Sequence, residues 1–133
     1  MSYFQLFTQQ PDKVGESPIW DAQSNCLWWV DIESRAIRRW RCAAPQAAVS
    51  SWELPERVGC IALTAVQGQL VAAMETGIAR VTLHADGQVD MDWLAHIEHP
   101  APGMRFNDGR CDASGRLWVG TMVMDMALAS PLG

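Results

Sequence analysis

The sequence has little positive charge. Its 10 lysines and arginines are outnumbered by 15 aspartates and glutamates, and the formal net charge is −5. Proteins whose main partner is a nucleic acid neutralise phosphates with clustered lysines and arginines, so we expect no nucleic-acid partner. The one basic cluster, at residues 35–41, is typical of the solvated face of an outer β-strand, with a binding patch as the alternative.

Long apolar segments and paired cysteine motifs are lacking too. No stretch approaches the roughly 20 apolar residues of a membrane helix, and no basic segment followed by an apolar core opens the chain. We therefore expect a cytoplasmic protein with no membrane partner.

The four cysteines form no Cys-x-x-Cys pair, which argues against a zinc site or a redox motif. We expect them to pack as small buried hydrophobic residues, with disulfides permitted by the even count but not required.

Short β-strand patterns make up most of what is present. Clusters of turn residues separate them, and no segment has a sustained helical period. Residues 89–99 fit a short helix or, equally well, an outer strand followed by a loop. The pattern predicts an all-β fold. The predicted strands cover residues 26–32, 36–42, 60–66, 69–75, 77–83 and 116–122.

One strand pattern recurs at a near-constant period. The segments 27–31, 70–74 and 117–121 align with offsets of 43 and 47 residues, and each follows a polar turn. A period of this size made of several short strands predicts a β-propeller with four-stranded blades. The third copy has no following partner strand, so we expect residues 1–133 to form one partial propeller with no separate second domain. Because a blade covers its apolar faces only by stacking on neighbours, we expect self-association through exposed blade edges.

Polar residues gather at two places beside these strands. Glu16 stands in "GESPIW", and Arg105, Asn107 and Asp108 stand just before Gly109 in "RFNDG". The Asn-Asp-Gly sequence predicts a tight turn. From the residues alone, Glu16 could cap a turn and Arg105 could form a structural ion pair with Asp108. Because the innermost strand of a propeller blade lines the central channel, these residues are also candidates for a ligand site.

Two longer segments resemble a known family. "GESPIWDAQSNCLWWVDI" (15–32) and "RFNDGRCDASGRLWVGTM" (105–122) are similar to the first blade and to an internal motif of the SMP-30, gluconolactonase and regucalcin-like proteins. The resemblance runs from about residue 14 to the end of the chain. It implies a six-bladed β-propeller, here truncated to about two and a half to three blades. It also implies hydrolysis of sugar lactones with a divalent metal ion (calcium, zinc, manganese or magnesium).

The resemblance implies roles for residues that match the family's motifs. Glu16 falls at a glutamate metal ligand, while Arg105 and Asn107 fall at positions that contact the sugar lactone. Asp125 stands where some members carry a glutamate that contacts the substrate. The other two expected metal ligands have no counterpart, and the general base is expected beyond the chain end, with Asp108 as a nearby substitute.

The resulting functional expectation is gluconolactonase-like hydrolysis by a full-length parent. We expect the 133-residue chain itself to be incomplete and weakly active or inactive. The alternative is a non-catalytic calcium-binding regulatory protein of the regucalcin kind, or an inactive propeller fragment that acts through association. In the enzymatic interpretation, a metal ion held by oxygen ligands would polarise the lactone carbonyl.

Overall fold

The structure is a computed structural model that describes residues 3, 4, 6, 8–125 and 127. The described residues form ten β-strands and no α-helix, which confirms the all-β prediction. None of them lies in a helix long and apolar enough to cross a membrane. The strands are β1 (Gly15–Asp21), β2 (Cys26–Asp31), β3 (Ala36–Arg41), β4 (Ser50–Glu53), β5 (Cys60–Leu63), β6 (Gln69–Ala73), β7 (Gly77–Leu83), β8 (Val89–His96), β9 (Met104–Cys111) and β10 (Leu117–Val123).

The strands form sheets of the propeller type. Strands β1 to β4 make one antiparallel sheet in chain order, here called blade 1, and β5 to β8 make a second one, blade 2. Strands β9 and β10 pair as a hairpin. The repeated segments 27–31, 70–74 and 117–121 fall on β2, β6 and β10, the second strand of each sheet. The period therefore identified equivalent strands, and residues 89–96 form an outer strand rather than a helix.

The sequence patterns did not predict three of the strands, β1, β4 and β9. β1 contains Pro18 and a local irregularity, β4 has only four residues, and β9 has the weak strand formers Asn107 and Asp108 at its centre. Short or interrupted strands lack the alternation on which sequence prediction rests. Their pairing with regular neighbours, rather than their own composition, makes them strands.

The main core lies between blades 1 and 2. The rings of Trp28 and Trp52 stack with centroids 5.8 Å apart, and the indole N–H of Trp52 donates to the carbonyl of His84 in blade 2 at 2.7 Å. Ile37 of blade 1 and Ile61 of blade 2 belong to the same buried cluster. Each blade thus covers an apolar face of the other, as stacking of propeller blades requires.

The first strands of the three sheets are neighbours. β5 lies between β1 and β9. The N–H of Ile61 in β5 donates to Oγ of Ser17 in β1 at 3.4 Å. On the other side, a Cβ added to Gly59 would lie only 2.5 Å from the carbonyl oxygen of Phe106. Only a glycine fits this approach, which brings the beginning of β5 against the beginning of β9.

The Asn-Asp-Gly sequence does not form the predicted turn. Residues 107–109 lie inside β9, and the turn of the hairpin is made by residues 112–115 instead. Neighbouring atoms leave no room for a side chain at position 109. A Cβ added to Gly109 would lie 2.6 Å from the Trp118 carbonyl oxygen and 2.9 Å from the sulfur of Cys60. Glycine here permits close packing rather than a turn.

The basic cluster is not a solvated face. Arg38 forms a salt bridge of 3.2 Å with buried Asp31. The guanidinium of Arg39 lies over the rings of Trp28 and Trp52, at 5.2 and 5.0 Å from their centroids. Two of its arginines therefore make structural contacts inside blade 1, which corrects the expectation for this strand.

The cysteine expectation is half correct. Cys26 and Cys60 are buried, whereas Cys42 and Cys111 are exposed. All four are free thiols. Cys42 directly follows β3, and Cys111 is the last residue of β9. At the ends of strands, periodic patterns give no information about burial.

Candidate functional site

The candidate residues on β1 and β9 lie at the same end of the inner strands. Glu16 is the second residue of β1, and Arg105 is the second residue of β9. The contacts of β5 with both strands bring these two beginnings close enough for the carboxylate of Glu16 to act on the charge of Arg105. The fold thus gathers two residues 89 positions apart in sequence at one end of β1, β5 and β9, the inner strands; this end is here called the mouth.

A one-residue bulge accompanies each of these positions. In β1, Ser17 and Pro18 stand opposite the single residue Trp29, and Ser17 adopts a left-handed backbone with φ of 53°. In β9, Asn107 and Asp108 stand opposite the single residue Gly120. Bulges redirect neighbouring side chains and are frequent beside functional sites. The two bulges explain how residues in paired strands present polar groups at the mouth.

Arg105 is a buried cation that forms no ion pair with any carboxylate of the described residues. Its side chain is only 7% exposed. Nη1 donates to the carbonyl of Phe106 at 2.8 Å and to Oδ1 of Asn107 at 3.2 Å. Nε is buried and has no hydrogen-bond partner among the described residues. Burial lowers the pKa of Arg105, and the nearby carboxylate of Glu33 opposes this effect. A guanidinium held in this way retains donor capacity for a ligand oxygen.

The neighbours of Arg105 have different surroundings. Asn107 is half-buried and accepts from Arg105 through Oδ1, which leaves its NH₂ group as a donor. Asp108 is exposed and accepts the N–H of Gly109 through Oδ1 at 2.8 Å. Within the described part of the chain, Asp108 forms no ion pair with Arg105, so the structural ion pair considered from the sequence is absent. Arg105 and Asn107 form one polar unit, and Asp108 stands apart from it.

Asp125 lies at the same end of the β9–β10 hairpin as Arg105. Val123 pairs with Met104, and the N–H of Met124 donates to the carbonyl of Gly103 at 2.9 Å. The exposed carboxylate of Asp125 accepts the N–H of Ala127 at 2.8 Å and closes a local turn. The structure therefore brings Asp125 to the mouth but gives it a local structural contact as well.

An ion network beside Arg105 was missed by the sequence reasoning. Arg57, which precedes β5, bridges Glu33 and Glu75 with N–O distances of 3.0 Å to each. His99 donates through Nε2 to the carbonyl of Glu75 at 2.7 Å, and its ring packs edge-on against the Phe106 ring. These residues surround the beginning of β9 and fix its position.

The repeats place an acidic residue at the same position in each sheet, and two of these residues belong to the ion network. Glu33 lies two residues beyond the end of β2, Glu75 two residues beyond β6, and Asp125 two residues beyond β10. A comparison that extended the repeats past their second strands would have found an acidic residue at the same place in each sheet. The three acidic positions share one end of the strands with Arg105.

The position of Glu16 is fixed by a buried carboxylate. Asp31, at the end of β2, accepts the N–H groups of Lys13 and Val14 at 3.1 and 3.0 Å. Burial raises the pKa of Asp31, but hydrogen bonds from Ser34, from these amides and from Arg38 outweigh it and hold the pKa well below its usual range. This anchor holds the residues that lead into β1.

The described residues do not by themselves form a metal centre. No three His, Cys, Asp or Glu side chains converge in residues 3–127 as far as the structure describes them. Glu16 is exposed and its carboxylate has no hydrogen-bond partner among the described residues, so it is available as a ligand. A calcium ion takes six to eight oxygen ligands, and a single carboxylate does not satisfy that requirement.

A cavity of about 270 Å³ lies between the three inner strands. Ser17 of β1, Ala62 of β5 and Asp108 of β9 contribute to its lining. Beside it, burial raises the pKa of the Cys60 thiol to about 11, and the negative charge of Asp108 adds to this effect. Cys60 therefore stays protonated near neutral pH and acts as a packing residue rather than a nucleophile.

The chain is similar to known lactonases and to a calcium-binding protein. It is 40% identical over 114 residues to 6-deoxy-6-sulfogluconolactonase of Pseudomonas putida, a match that covers 86% of this chain and 37% of that protein. It is 33% identical over 115 residues to L-arabinolactonase of Azospirillum brasilense, covering 86% of this chain and 36% of that protein. The crystal structure of a calcium-binding protein, regucalcin, from Agrobacterium tumefaciens superposes with a TM-score of 0.76 at 29% identity, covering 89% of this chain and 38% of that one.

The chain spans a little over a third of the length of these relatives. The fold of the matched structure agrees with the propeller blades described above. The family profile described as SMP-30/Gluconolactonase/LRE-like region matches residues 14–131. The chain therefore belongs to the SMP-30/gluconolactonase/LRE-like family.

Proposed function

We propose that the chain forms the lactone-binding part of a sugar-lactone hydrolase. The observation that carries the proposal is Arg105, a buried guanidinium that lacks a carboxylate partner among the described residues and donates to the side chain of Asn107. The lactonase relatives support the substrate class. Because hydrogen bonds from ionised donors are stronger where water is excluded, this pair suits the oxygen-rich surface of a sugar lactone.

The residues at the mouth would contact different oxygen atoms of the lactone. Arg105 would donate to ring or carbonyl oxygens, and the free NH₂ of Asn107 would donate to a hydroxyl oxygen. Asp125 would accept a hydroxyl hydrogen with the carboxylate oxygen that its turn leaves available. Fixed donors aimed at the carbonyl oxygen stabilise negative charge that develops when the carbonyl is attacked.

Hydrolysis also needs a group that removes a proton from water. Water adds to the lactone carbonyl carbon, the ring C–O bond breaks, and the ring oxygen takes up a proton to give a hydroxy acid. Asp108 is exposed beside the inner-strand cavity, and only its Oδ1 is engaged, by the Gly109 amide. It is our candidate within the described residues for the general base.

Glu16 is our candidate for one ligand of a divalent cation such as calcium, zinc, manganese or magnesium. The calcium-binding relative supports this class of ion, and carboxylate oxygens are ligands that such ions accept. When bound, such an ion would polarise the lactone carbonyl. Glu16 would be one contributor among several ligands.

A pH-stat assay of lactone hydrolysis tests the proposal. We expect turnover above the spontaneous rate when calcium, zinc or manganese is added, and loss of the metal-dependent part in the Glu16→Gln variant. Glu98→Gln, which removes an exposed carboxylate after β8, is the matched control and is expected to behave as wild type. Metal-dependent turnover that is equal in the Glu16→Gln and wild-type chains would refute the ligand assignment.

A second candidate function is calcium binding without catalysis. The similarity to a calcium-binding regucalcin favours it, as does the unengaged carboxylate of Glu16. Calorimetric titration with calcium separates the two candidates. Saturable calcium binding that depends on Glu16, in a protein that neither binds nor hydrolyses the lactone, would support the binding function and contradict the hydrolase.

A further inference from the structure

A second crevice lies between blades 1 and 2 and shares no lining residue with the inner-strand cavity. Its volume is about 560 Å³, and it is lined by β3, β4 and the loops of residues 44–48 and 85–87. Arg39, Arg41, Ser50 and Ser51 supply polar groups. The acidic lining residue is Asp86, whose carboxylate already accepts the N–H of Gln88 at 3.0 Å. Two guanidinium groups thus face one carboxylate.

Arg39 is the most desolvated of these groups. Its guanidinium lies over the stacked rings of Trp28 and Trp52, about equally far from both. Nη2 donates to Oγ of Ser50 at 3.4 Å, while Nε is buried without a hydrogen-bond partner among the described residues. Burial lowers the pKa of Arg39, and the positive charge of Arg41 adds to this effect. A cation in these surroundings is stabilised by an anion.

The absence of a carboxylate partner among the described residues sets Arg39 apart from the other half-buried arginines, Arg38 and Arg57. Of the four described arginines that are not exposed, Arg38 and Arg57 form salt bridges with carboxylates. Arg39 and Arg105 form none with the described residues. Arg105 lies in the candidate lactone site, so the same signature at Arg39 marks a second position where a ligand would complete the charge balance.

We propose that Arg39, Arg41 and Ser50 form a binding site for the phosphate group of a small molecule. The planar guanidinium presents a fork of N–H donors that matches a tetrahedral oxyanion, and the serine hydroxyl adds a further donor. Arg39 and Arg41 lie two residues apart on β3, so their side chains are on the same face of the strand. Ser50 of β4 is the residue that pairs with Arg39. The paired ends of β3 and β4 therefore carry all three donors, which favours a formed site over a chance cluster.

The size and lining of the crevice favour a phosphate monoester over the free ion. A volume of about 560 Å³ lies within the range of small-molecule sites. Trp52 and three alanines of the 44–48 segment supply an apolar wall beside the arginines. That wall would contact the organic part of the ester while the arginines hold the phosphate.

Calorimetric titration at low chloride tests this site. We expect saturable one-to-one binding of glucose 6-phosphate, weaker binding of inorganic phosphate, and none of glucose. Arg41→Gln, which removes an exposed side chain, is expected to weaken phosphate-ester binding about tenfold or more, as loss of a charge-assisted hydrogen bond does. Arg35→Gln removes the same charge from an exposed arginine of the same blade outside the crevice and is the matched control.

The results of this titration distinguish a site for a phosphate ester from a site for inorganic phosphate, and they can refute the proposal. Equal affinity for inorganic phosphate and the ester would assign the site to the phosphate group alone and support it in that form. No saturable binding of either phosphate at millimolar concentration would refute it. Equal weakening by Arg41→Gln and Arg35→Gln would also refute it, because that result reports net charge. Arg39→Lys, which keeps the charge but loses the fork, gives a further test of donor geometry, with thermal unfolding as a check of folding.

Discussion

Two charged side chains are buried in the described part of the chain, and both concern the candidate site. Arg105 presents donors at the beginning of β9. Asp31 holds the segment that leads into β1 through two backbone amides and the guanidinium of Arg38. A buried charge is tolerated only when its surroundings satisfy it. Asp31 is satisfied by the protein, whereas Arg105 keeps an unpartnered Nε.

The Asp31→Asn variant is expected to lose stability. An amide cannot replace the charge that faces Arg38, and breaking a buried pair of this kind costs about 3 kcal/mol in the free energy of unfolding. The pKa of Asp31 is lower in the folded than in the unfolded chain. Its stabilisation is therefore present above the unfolded pKa of about 3.9 and is lost as pH falls below it. Urea unfolding at pH 7 and pH 3 measures both effects.

Asp86→Asn provides the control for this prediction. Asp86 is exposed, and an asparagine can accept the same hydrogen bond from Gln88. We expect its stability to stay within about 0.5 kcal/mol of wild type. A difference between Asp31→Asn and wild type that is the same at pH 3 as at pH 7 would contradict the role of the ionised carboxylate.

The sequence identified single residues where a motif carried them and missed those that depend on long-range contacts. Glu16, Arg105, Asn107 and Asp125 came from the family resemblance, and the structure brings all four to one end of the inner strands. Their functional roles stay predictions. Arg57 was missed because its partners lie 24 and 18 positions away. No local pattern reports such a pairing before the sheets are assembled.

At the scale of elements, the site depends on irregular strands. The bulges in β1 and β9 place Glu16 and Asn107 beside extra residues that break the regular ladder. The sequence signals at these places, Ser-Pro and Asn-Asp-Gly, favour turns, whereas the structure has a bulge within a strand at each. The prediction of a turn at Asn-Asp-Gly was wrong because the close approach of Cys60 and Trp118 requires a glycine inside the strand. Sequence alone does not separate these two reasons for a glycine.

The Gly59→Ala variant is expected to disturb the beginning of β9. Its new Cβ would lie 2.5 Å from the carbonyl oxygen of Phe106 and 2.7 Å from that of Asn107, so the backbone must move. Overpacking of this kind costs about 1–3 kcal/mol. We expect reduced stability in urea unfolding together with faster hydrogen exchange of the β9 amides.

Gly120→Ala is the matched control for this substitution. Gly120 lies opposite the β9 bulge, but the nearest atom to an added Cβ is 3.9 Å away. We expect near wild-type stability and exchange rates. If Gly59→Ala behaved like Gly120→Ala, the close approach of β5 and β9 would be disproved.

At the scale of the whole molecule, the repeat period was the most informative feature. Offsets of 43 and 47 residues identified the second strand of each sheet, and the blade architecture followed. The period could not show which residues face the mouth, because that depends on bulges and on contacts between neighbouring inner strands. The cytoplasmic location expected from the sequence stays a prediction.

Self-association is expected from the exposed parts of the sheets. Strand β10 pairs only with β9 among the described strands, so one of its edges is open, and Trp118 on this strand is 65% exposed. Open edges and exposed aromatic side chains promote association. Sedimentation velocity over a range of concentrations should show species larger than the 14.7 kDa chain, reduced in Trp118→Ser. A single 14.7 kDa species at every concentration would contradict this prediction.

Lactone binding at Arg105 and Asn107 is tested most directly by an NMR titration of the ¹⁵N-labelled chain with gluconolactone. We expect saturable shifts of the Asn107 side-chain amide and the Arg105 Nε–H signal. Arg105→Gln should weaken binding about tenfold or more, because it removes charge-assisted hydrogen bonds. Arg80→Gln, which removes an exposed arginine on β7 away from the inner-strand cavity, should bind as wild type does. Equal lactone affinity in all three proteins, or no saturable shift at either residue, would contradict the proposed site.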